Sequence, residues 1–472
     1  MTFPEAHRSL TLGSVVGALA LIALAVGVGA LGAVVHPFAP IAVALGIAFI
    51  AGVMTGPFFL LCVFVAVLFT RPGDFVPALA PLQIGKLAML GALGLHAVSK
   101  LMRPVQTHAL PPIPHHRWMV VLCAVILISS TLGASPSGSM AIFKEVFVKI
   151  IVLYVLITSL VDSRRRAVMF QLTMCLCTAF LGGYALYAKL SGQATIEGSR
   201  AGAVGLLGDP NDLALSILMS LPFLFVAVKE TSGWLRIAML TMTILGVAGI
   251  ISTQSRGGIL GMAAAIAVLT RSRFKNPMLV YSVVGVLLYV LMSVAGIGKR
   301  QGLKQGEIDE SAQGRLDAWG AGARMFAKNP VFGVGYEQFV VVYFSYVVNP
   351  VDWTARVAHN SYITVAAETG VAGLVPYMAL VWLSVRAGRR LQRTAKQRTP
   401  GLERALAEGL LANQAAVLTA AFFLTQCWLW FMFILMAQAA ATERAFFAMP
   451  RRAPVTVPRY SMRFHHVGEA AT

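Results

Sequence analysis

The sequence predicts an all-α, polytopic membrane protein with about 12–14 transmembrane helices, and its apolar runs are the first reason. Many reach roughly 18 residues or more, the length at which a helix crosses about 30 Å of hydrocarbon. The chain of 472 residues is 57% hydrophobic and only 12% charged, with a mean hydropathy of +0.75. A soluble chain of this size carries about 25% charged residues. The period-two alternation of a membrane barrel is absent.

In order, spans are expected near residues 10–35, 38–54, 57–69, 82–99, 118–133, 141–160 and 167–189, then near 210–228, 235–252, 257–270, 277–297, 359–383, 409–426 and 427–446. The second and third are short and are split by Thr55–Pro57; the last two form one apolar run around Gln426. The first run is too long for a cleavable signal and reads as a span. All five cysteines fall inside apolar segments and are read as small packing residues, neither disulfide-bonded nor metal-ligating.

A net charge of +19 would fit a nucleic-acid binder, but its distribution excludes that class. Basic residues cluster at Lys100–Arg117, Asp162–Arg166, Arg271–Lys275, Arg386–Arg398 and in the tail after Glu443. Putting these on one side satisfies the positive-inside rule and leaves both ends cytoplasmic. Only one opposite-side loop is then large, roughly residues 298–358. It holds an amphipathic helix expected over Gly314–Pro330, stopped by Asn329-Pro330, and a glycine-rich turn segment, Val331–Phe339. A second outer loop spans Ser191–Gly208. Three regions follow: 1–190, N-terminal helices; 191–385, a core that includes loop 298–358; and 386–472, a basic cytoplasmic loop, the last two spans and a tail.

Outer-face charge does not help retention, so it needs another reason. Arg200, Arg256, Arg315 and Arg356 lie on that face, and Lys149 sits about two turns inside its span. Arginine is always charged and presents a planar donor fork suited to phosphate oxygens, so several together make a diphosphate clamp. Each residue also has a plainer reading. The arginines can snorkel to headgroups, and Lys149 can pair with Glu145 at i,i+4. In "GDPNDLAL" (Gly208–Leu215), Asp209 is a good N-cap and Pro210 suits the first helical position. The alternative gives Asp209 or Asn211 the task of orienting an arginine or a sugar hydroxyl. Gly306–Glu310 offers three carboxylates but reads as a solvated loop.

The segment "RVAHNSYITVAAETGVAGL" (Arg356–Leu374) puts His359 and Asn360 at the mouth of a span and Glu368 inside it. At 3.6 residues per turn, Ser361, Thr364 and Glu368 share a face that His359 does not, so a His–Glu dyad is not expected. At the water boundary an imidazole can take a proton or bond a phosphate. The plain readings are a capping Asn360 and a structural, buried Glu368.

Arg200 with "GDPNDLAL", "SRGGILG" (Ser255–Gly261), "GRLDAW" with "NPVFGVGYEQF" (Gly314–Phe339) and "AHNSYITVAAETGVAGL" (Ala358–Leu374) resemble the O-antigen ligase and polymerase family of bacterial inner-membrane proteins. They occur in the family's order over roughly residues 195–385. The resemblance implies a GT-C-like fold with a helix-bearing periplasmic loop and an active site on the periplasmic face. The donor it implies is an undecaprenyl-diphosphate-linked glycan. The acceptor is another glycan in a polymerase of O-antigen or exopolysaccharide, or lipid A core in a ligase. No cofactor and no metal are implied. By resemblance Arg200, Arg256 and Arg315 hold the diphosphate, with Lys149 added from the charge pattern, and Arg200, Arg256 and His359 carry the catalysis. Asp209, Asn211, Asn360, Glu368 and Arg356 support them. Membrane lipids and polysaccharide-export or chain-length proteins are candidate partners. The competing classes are a transporter or flippase of lipid-linked glycans, which calls for inverted repeats around a midplane site, and a non-catalytic assembly protein.

Overall fold

The computed structural model describes residues 56–102, 112–192, 195–196, 200–202, 205–271, 310–348 and 354–447, with short pieces of 276–290. The spans expected near 10–35 and 38–54, more than half of that near 277–297, most of Gly306–Glu310 and the C-terminal tail lie outside the described residues. The rest is helical: α1 (Pro57–Thr70), the single turn α2 (Pro72–Phe75), α3 (Ile84–Leu101), α4 (Pro114–Leu132), α5 (Pro136–Ile142), α6 (Val148–Leu160) and α7 (Arg164–Ser191) precede the core. Then come α8 (Pro210–Leu218), α9 (Leu221–Glu230), α10 (Gly233–Thr253), α11 (Arg256–Arg271), α12 (Glu310–Lys328), α13 (Ser361–Arg398), α14 (Gly401–Ala421) and α15 (Trp430–Phe447). A two-residue hairpin, β1 (Thr195–Ile196) with β2 (Arg200–Ala201), pairs Ile196 with Arg200. Among the described residues, six helical stretches are long and apolar enough to cross a membrane. The protein is thus an all-α, polytopic membrane protein.

The α8–α9 stretch is central. Within it 78% of the most apolar window is buried, against 17% for the stretch ending at Leu101. Peripheral helices present apolar side chains outward, such as Val120, Leu176 and Ile237, the pattern expected when the solvent is lipid. The expected span near 210–228 is in fact two helices. Pro222 has no N–H and its ring clashes with the carbonyl four residues back, so α8 ends at Leu218. Buried side chains satisfy the break: Asn413 Oδ1 accepts from Phe223 N at 3.0 Å, and Gln171 Nε2 donates to Ser220 Oγ at 2.9 Å. Likewise residues 422–429 interrupt the apolar run around Gln426.

The basic stretch Arg386–Arg398, expected as a loop, is the last part of α13. Arginine and lysine are good helix formers, and α13 continues until Thr399-Pro400 stops it.

A second break lies inside α13. Gly370 has φ 61° and ψ −162°, and the glycine-rich segment after α12 is laid against it. Val334 N donates to Ala367 O at 2.9 Å and Gly335 N to Glu368 O at 3.1 Å. Beyond the break, Val371 N donates to Pro330 O at 2.8 Å and Ala372 N to Val331 O at 3.1 Å. The two chains touch at glycines: a Cβ at Gly370 would lie 2.3 Å from Val331 O, and one at Gly333 (φ 69°) 2.2 Å from the Glu368 carbonyl carbon. Gly370→Ala is therefore expected to destabilise the protein by at least about 1–3 kcal/mol, the cost of an unfavourable backbone conformation alone. Gly94→Ala in α3, where the added methyl meets nothing within 4 Å, is the neutral control. Thermal midpoints in detergent, read by fluorescence-detected size exclusion, check this; equal midpoints for both variants would contradict it.

Candidate active site

The three polar motifs converge through one side chain. Asp209 caps α8 by accepting from Asn211 N at 2.6 Å, so the capping reading of this aspartate holds. The cap leaves the Asn211 carboxamide directed at two donors: its Oδ1 accepts from Arg200 Nη2 at 3.1 Å and from Ser255 Oγ at 2.8 Å. Arg200 is buried, and its Nε donates to Thr253 O at 3.3 Å. Ser255 Oγ in turn accepts from Gly258 N at 3.1 Å, closing the first turn of α11. Asn211 is thus the residue that orients the arginine.

Arg256 opens α11 and is exposed, directly after the left-handed Gln254 (φ 49°) that reverses the chain. Here an arginine side chain and the positive end of a 16-residue helix share one place, which favours an anion. The glycines of "SRGGILG" let α11 sit close. A Cβ at Gly258 would be 2.8 Å from Ala214 Cβ, and one at Gly261 2.6 Å from Ala416 O.

His359, whose electrostatic neighbours include Asp209, is also in a left-handed conformation (φ 46°). The preceding carbonyl, Ala358 O, accepts from Trp319 Nε1 of α12 at 2.8 Å. After it, buried Asn360 caps α13 by accepting from Tyr362 N at 3.0 Å and Ile363 N at 3.1 Å. The backbone on both sides of His359 is therefore held, while no hydrogen bond within the described residues occupies the half-buried imidazole. Burial pushes the His359 pKa below its ordinary 6.5; the charges of Arg315 and Arg356 act in the same direction and that of Asp209 opposes them. The Arg356 guanidinium lies against Gly314, where a Cβ would come within 2.3 Å of its Nη1. Arg315, Arg356, Asp209 and His359 are thus neighbours in one electrostatic environment.

Glu368 has a structural place. Its carboxylate accepts from Phe339 N at 3.0 Å, Glu337 N at 3.1 Å and Trp428 Nε1 at 2.6 Å. It ties the glycine-rich segment and the 422–429 interruption to α13, and no hydrogen bond joins it to His359. Lys149 forms no ion pair with Glu145 and lines a separate cavity, whose walls include none of Arg200, Arg256 or Arg315. Among the described residues no group of three or more His, Cys, Asp or Glu is placed to hold a metal.

Sequence reasoning missed Gln426. Its Nε2 donates to Asp212 Oδ1, and its backbone N donates to Ser361 Oγ at 2.9 Å, joining α8 to the first turn of α13. The only signal was a glutamine interrupting an apolar run. Trp319 and Trp428, each donating to the site's frame, carried no signal beyond being aromatic.

Residues 241–378 match the family model described as O-antigen ligase. The match supports the O-antigen ligase/polymerase family for this chain, the family its motifs resemble. Arg256, Arg315, Arg356, His359, Asn360 and Glu368 fall inside the matched segment; Arg200 and Gly208–Leu215 precede it. No curated protein matches the chain.

Two outcomes are expected. Glu368→Ala removes an acceptor of three hydrogen bonds and should cost on the order of 2 kcal/mol or more, with faster proteolysis within Val331–Phe339 as the readout; unchanged cleavage would contradict the anchoring role. For His359 the folded state binds fewer protons than the unfolded state below pH 6.5. The neutral ring is therefore kept at pH 7, and its destabilising contribution sets in only as pH falls through 6.5. The acid limb of a pH–rate profile should lie below 6.5 and move upward toward it in Arg315→Gln; a limb unmoved by that change would contradict the coupling.

Proposed function

We propose that the protein is a membrane glycan transferase of the O-antigen ligase/polymerase type. Its donor is an undecaprenyl-diphosphate-linked oligosaccharide, and its site lies on the periplasmic face of the bacterial inner membrane. The observation that supports this reading is the hydrogen-bonded line Arg200–Asn211–Ser255 at the start of α11, together with the shared electrostatic environment of Asp209, His359, Arg315 and Arg356. A site so rich in guanidinium groups suits a diphosphate.

In the reaction the acceptor hydroxyl oxygen attacks the anomeric carbon as the bond from that carbon to the diphosphate oxygen breaks. The proton passes to His359 Nδ1 or Nε2, and polyprenyl diphosphate leaves with the electron pair. Attack from the face opposite the leaving group inverts the anomeric centre. Arg200 and Arg256 stabilise the charge that develops on the diphosphate, with Arg315 as a third donor. A neutral His359 at pH 7 is the form that can accept a proton, so its lowered pKa agrees with a base. The weak similarity of "DPND" to exopolysaccharide-cluster members favours joining of repeat units over transfer to lipid A core.

In proteoliposomes given the lipid-linked donor, Arg200→Ala and Arg256→Ala are expected to weaken donor binding by about 10- to 100-fold, the scale of a lost hydrogen bond to a charged group. His359→Ala should cut transfer by about 100-fold or more while donor binding stays near wild type. Wild-type donor binding in both arginine variants would overturn the reading. In a deletion strain, loss of glycan chain length identifies a polymerase, and unattached full-length glycan a ligase.

A further inference from the structure

The cavity that takes Lys149 has a volume of about 620 Å³ and lies where α1 ends, α3 begins and α6 passes. Asp74, on its wall, packs against Gly205, so the cavity sits at the same end of the bundle as the Arg200 loop. Its charge is not balanced internally. Arg71 is matched by Asp74, with Nε 2.6 Å from Oδ2. Lys86 and Lys149 are both exposed on the wall and make no hydrogen bond or ion pair. Glu145, the remaining carboxylate there, leaves the wall net positive.

Glu145 and Lys149 do not pair, although they lie four residues apart. The chain enters α6 through a π turn, Phe143–Phe147. Turns of this kind recur at functional sites. Between the cations the wall is apolar, with Phe64, Leu68, Met89 and Leu153 along it and Trp430 at one edge. Two exposed ammonium groups beside an apolar wall suit an anionic head attached to a hydrocarbon chain.

We propose that this cavity is a lipid site separate from the arginine group, in which an anionic phosphate head lies between Lys86 and Lys149 and the hydrocarbon chain lies against Phe64, Leu68 and Leu153. Its volume falls in the range of small-molecule sites and accommodates a head with the first part of a chain. The site does not depend on the transfer reaction, so it stands or falls separately from the proposed function.

Trp430 gives a direct reading. The full-length protein in phosphatidylcholine nanodiscs is titrated with brominated-chain phosphatidylglycerol, and quenching of Trp430 is taken as the difference from Trp430→Phe. Half-quenching is expected at a mole fraction about ten-fold or more below that of brominated phosphatidylcholine, the scale set by two lysines near an anionic head. Lys86→Gln with Lys149→Gln should abolish that preference, and Lys86→Arg with Lys149→Arg should restore it, with unchanged size-exclusion profiles. Competition with undecaprenyl phosphate then separates the sources: displacement assigns a polyprenyl phosphate, and no displacement a phospholipid. Equal quenching by the two brominated lipids, or a preference that survives the double glutamine variant, overturns the proposal.

Discussion

At membrane depth every backbone N–H and C=O needs a partner inside the protein, and the fold is arranged around the places where a helix cannot supply one. At the Ser220–Phe223 break Asn413 accepts the Phe223 amide, while Gln171 bonds the Ser220 hydroxyl. At Gly370 the partners are the carbonyls and amides of residues 330–335. Between α10 and α11 Ser255 caps the new helix, and past Ala421 Ser361 accepts the Gln426 amide. The last three interruptions frame the candidate site. The same requirement that makes a break costly thus makes it rigid once satisfied, and a rigid break can aim a side chain.

The two walls of the site are built differently. On one, Arg200 is fixed by acceptors that belong to the frame, Thr253 O and Asn211 Oδ1. On the other, the backbone around His359 is fixed by Trp319 and Asn360, and no hydrogen bond among the described residues engages the imidazole. A held cation suits a charge that must be stabilised, and an unengaged imidazole suits a proton that must move. Glu368 shows how the frame reaches across the bundle, joining the segment after α12, the 422–429 interruption and α13 in one carboxylate.

Much of this was legible in the sequence where the signal is local. Asp209 and Asn360 read as caps and are caps; Asn329-Pro330 read as the end of a helix, and α12 stops at Lys328. The all-α membrane architecture followed from hydropathy alone. What was not legible depended on partners far along the chain or on a local geometry with no compositional mark. Gly370 looks like any small residue in an apolar run until Val331 is laid against it. Gln426 gains its meaning from Asp212, 214 residues away. Lys149 carried the right charge, but it lines a cavity whose walls hold none of Arg200, Arg256 or Arg315. Asn211 lay between: by sequence either it or Asp209 could orient an arginine or a sugar hydroxyl, and in the structure it is Asn211 that accepts from Arg200.

The central claim is that the arginine group opposite His359 is where a lipid-linked diphosphate is held. A single-particle structure of the full-length protein in nanodiscs with a bound polyprenyl diphosphate tests it most directly. The account requires both phosphorus atoms to lie within hydrogen-bonding reach of the Arg200 or Arg256 side chains, on the side toward His359. Diphosphate density at any other place, such as beside the Arg386–Arg398 end of α13, would contradict it.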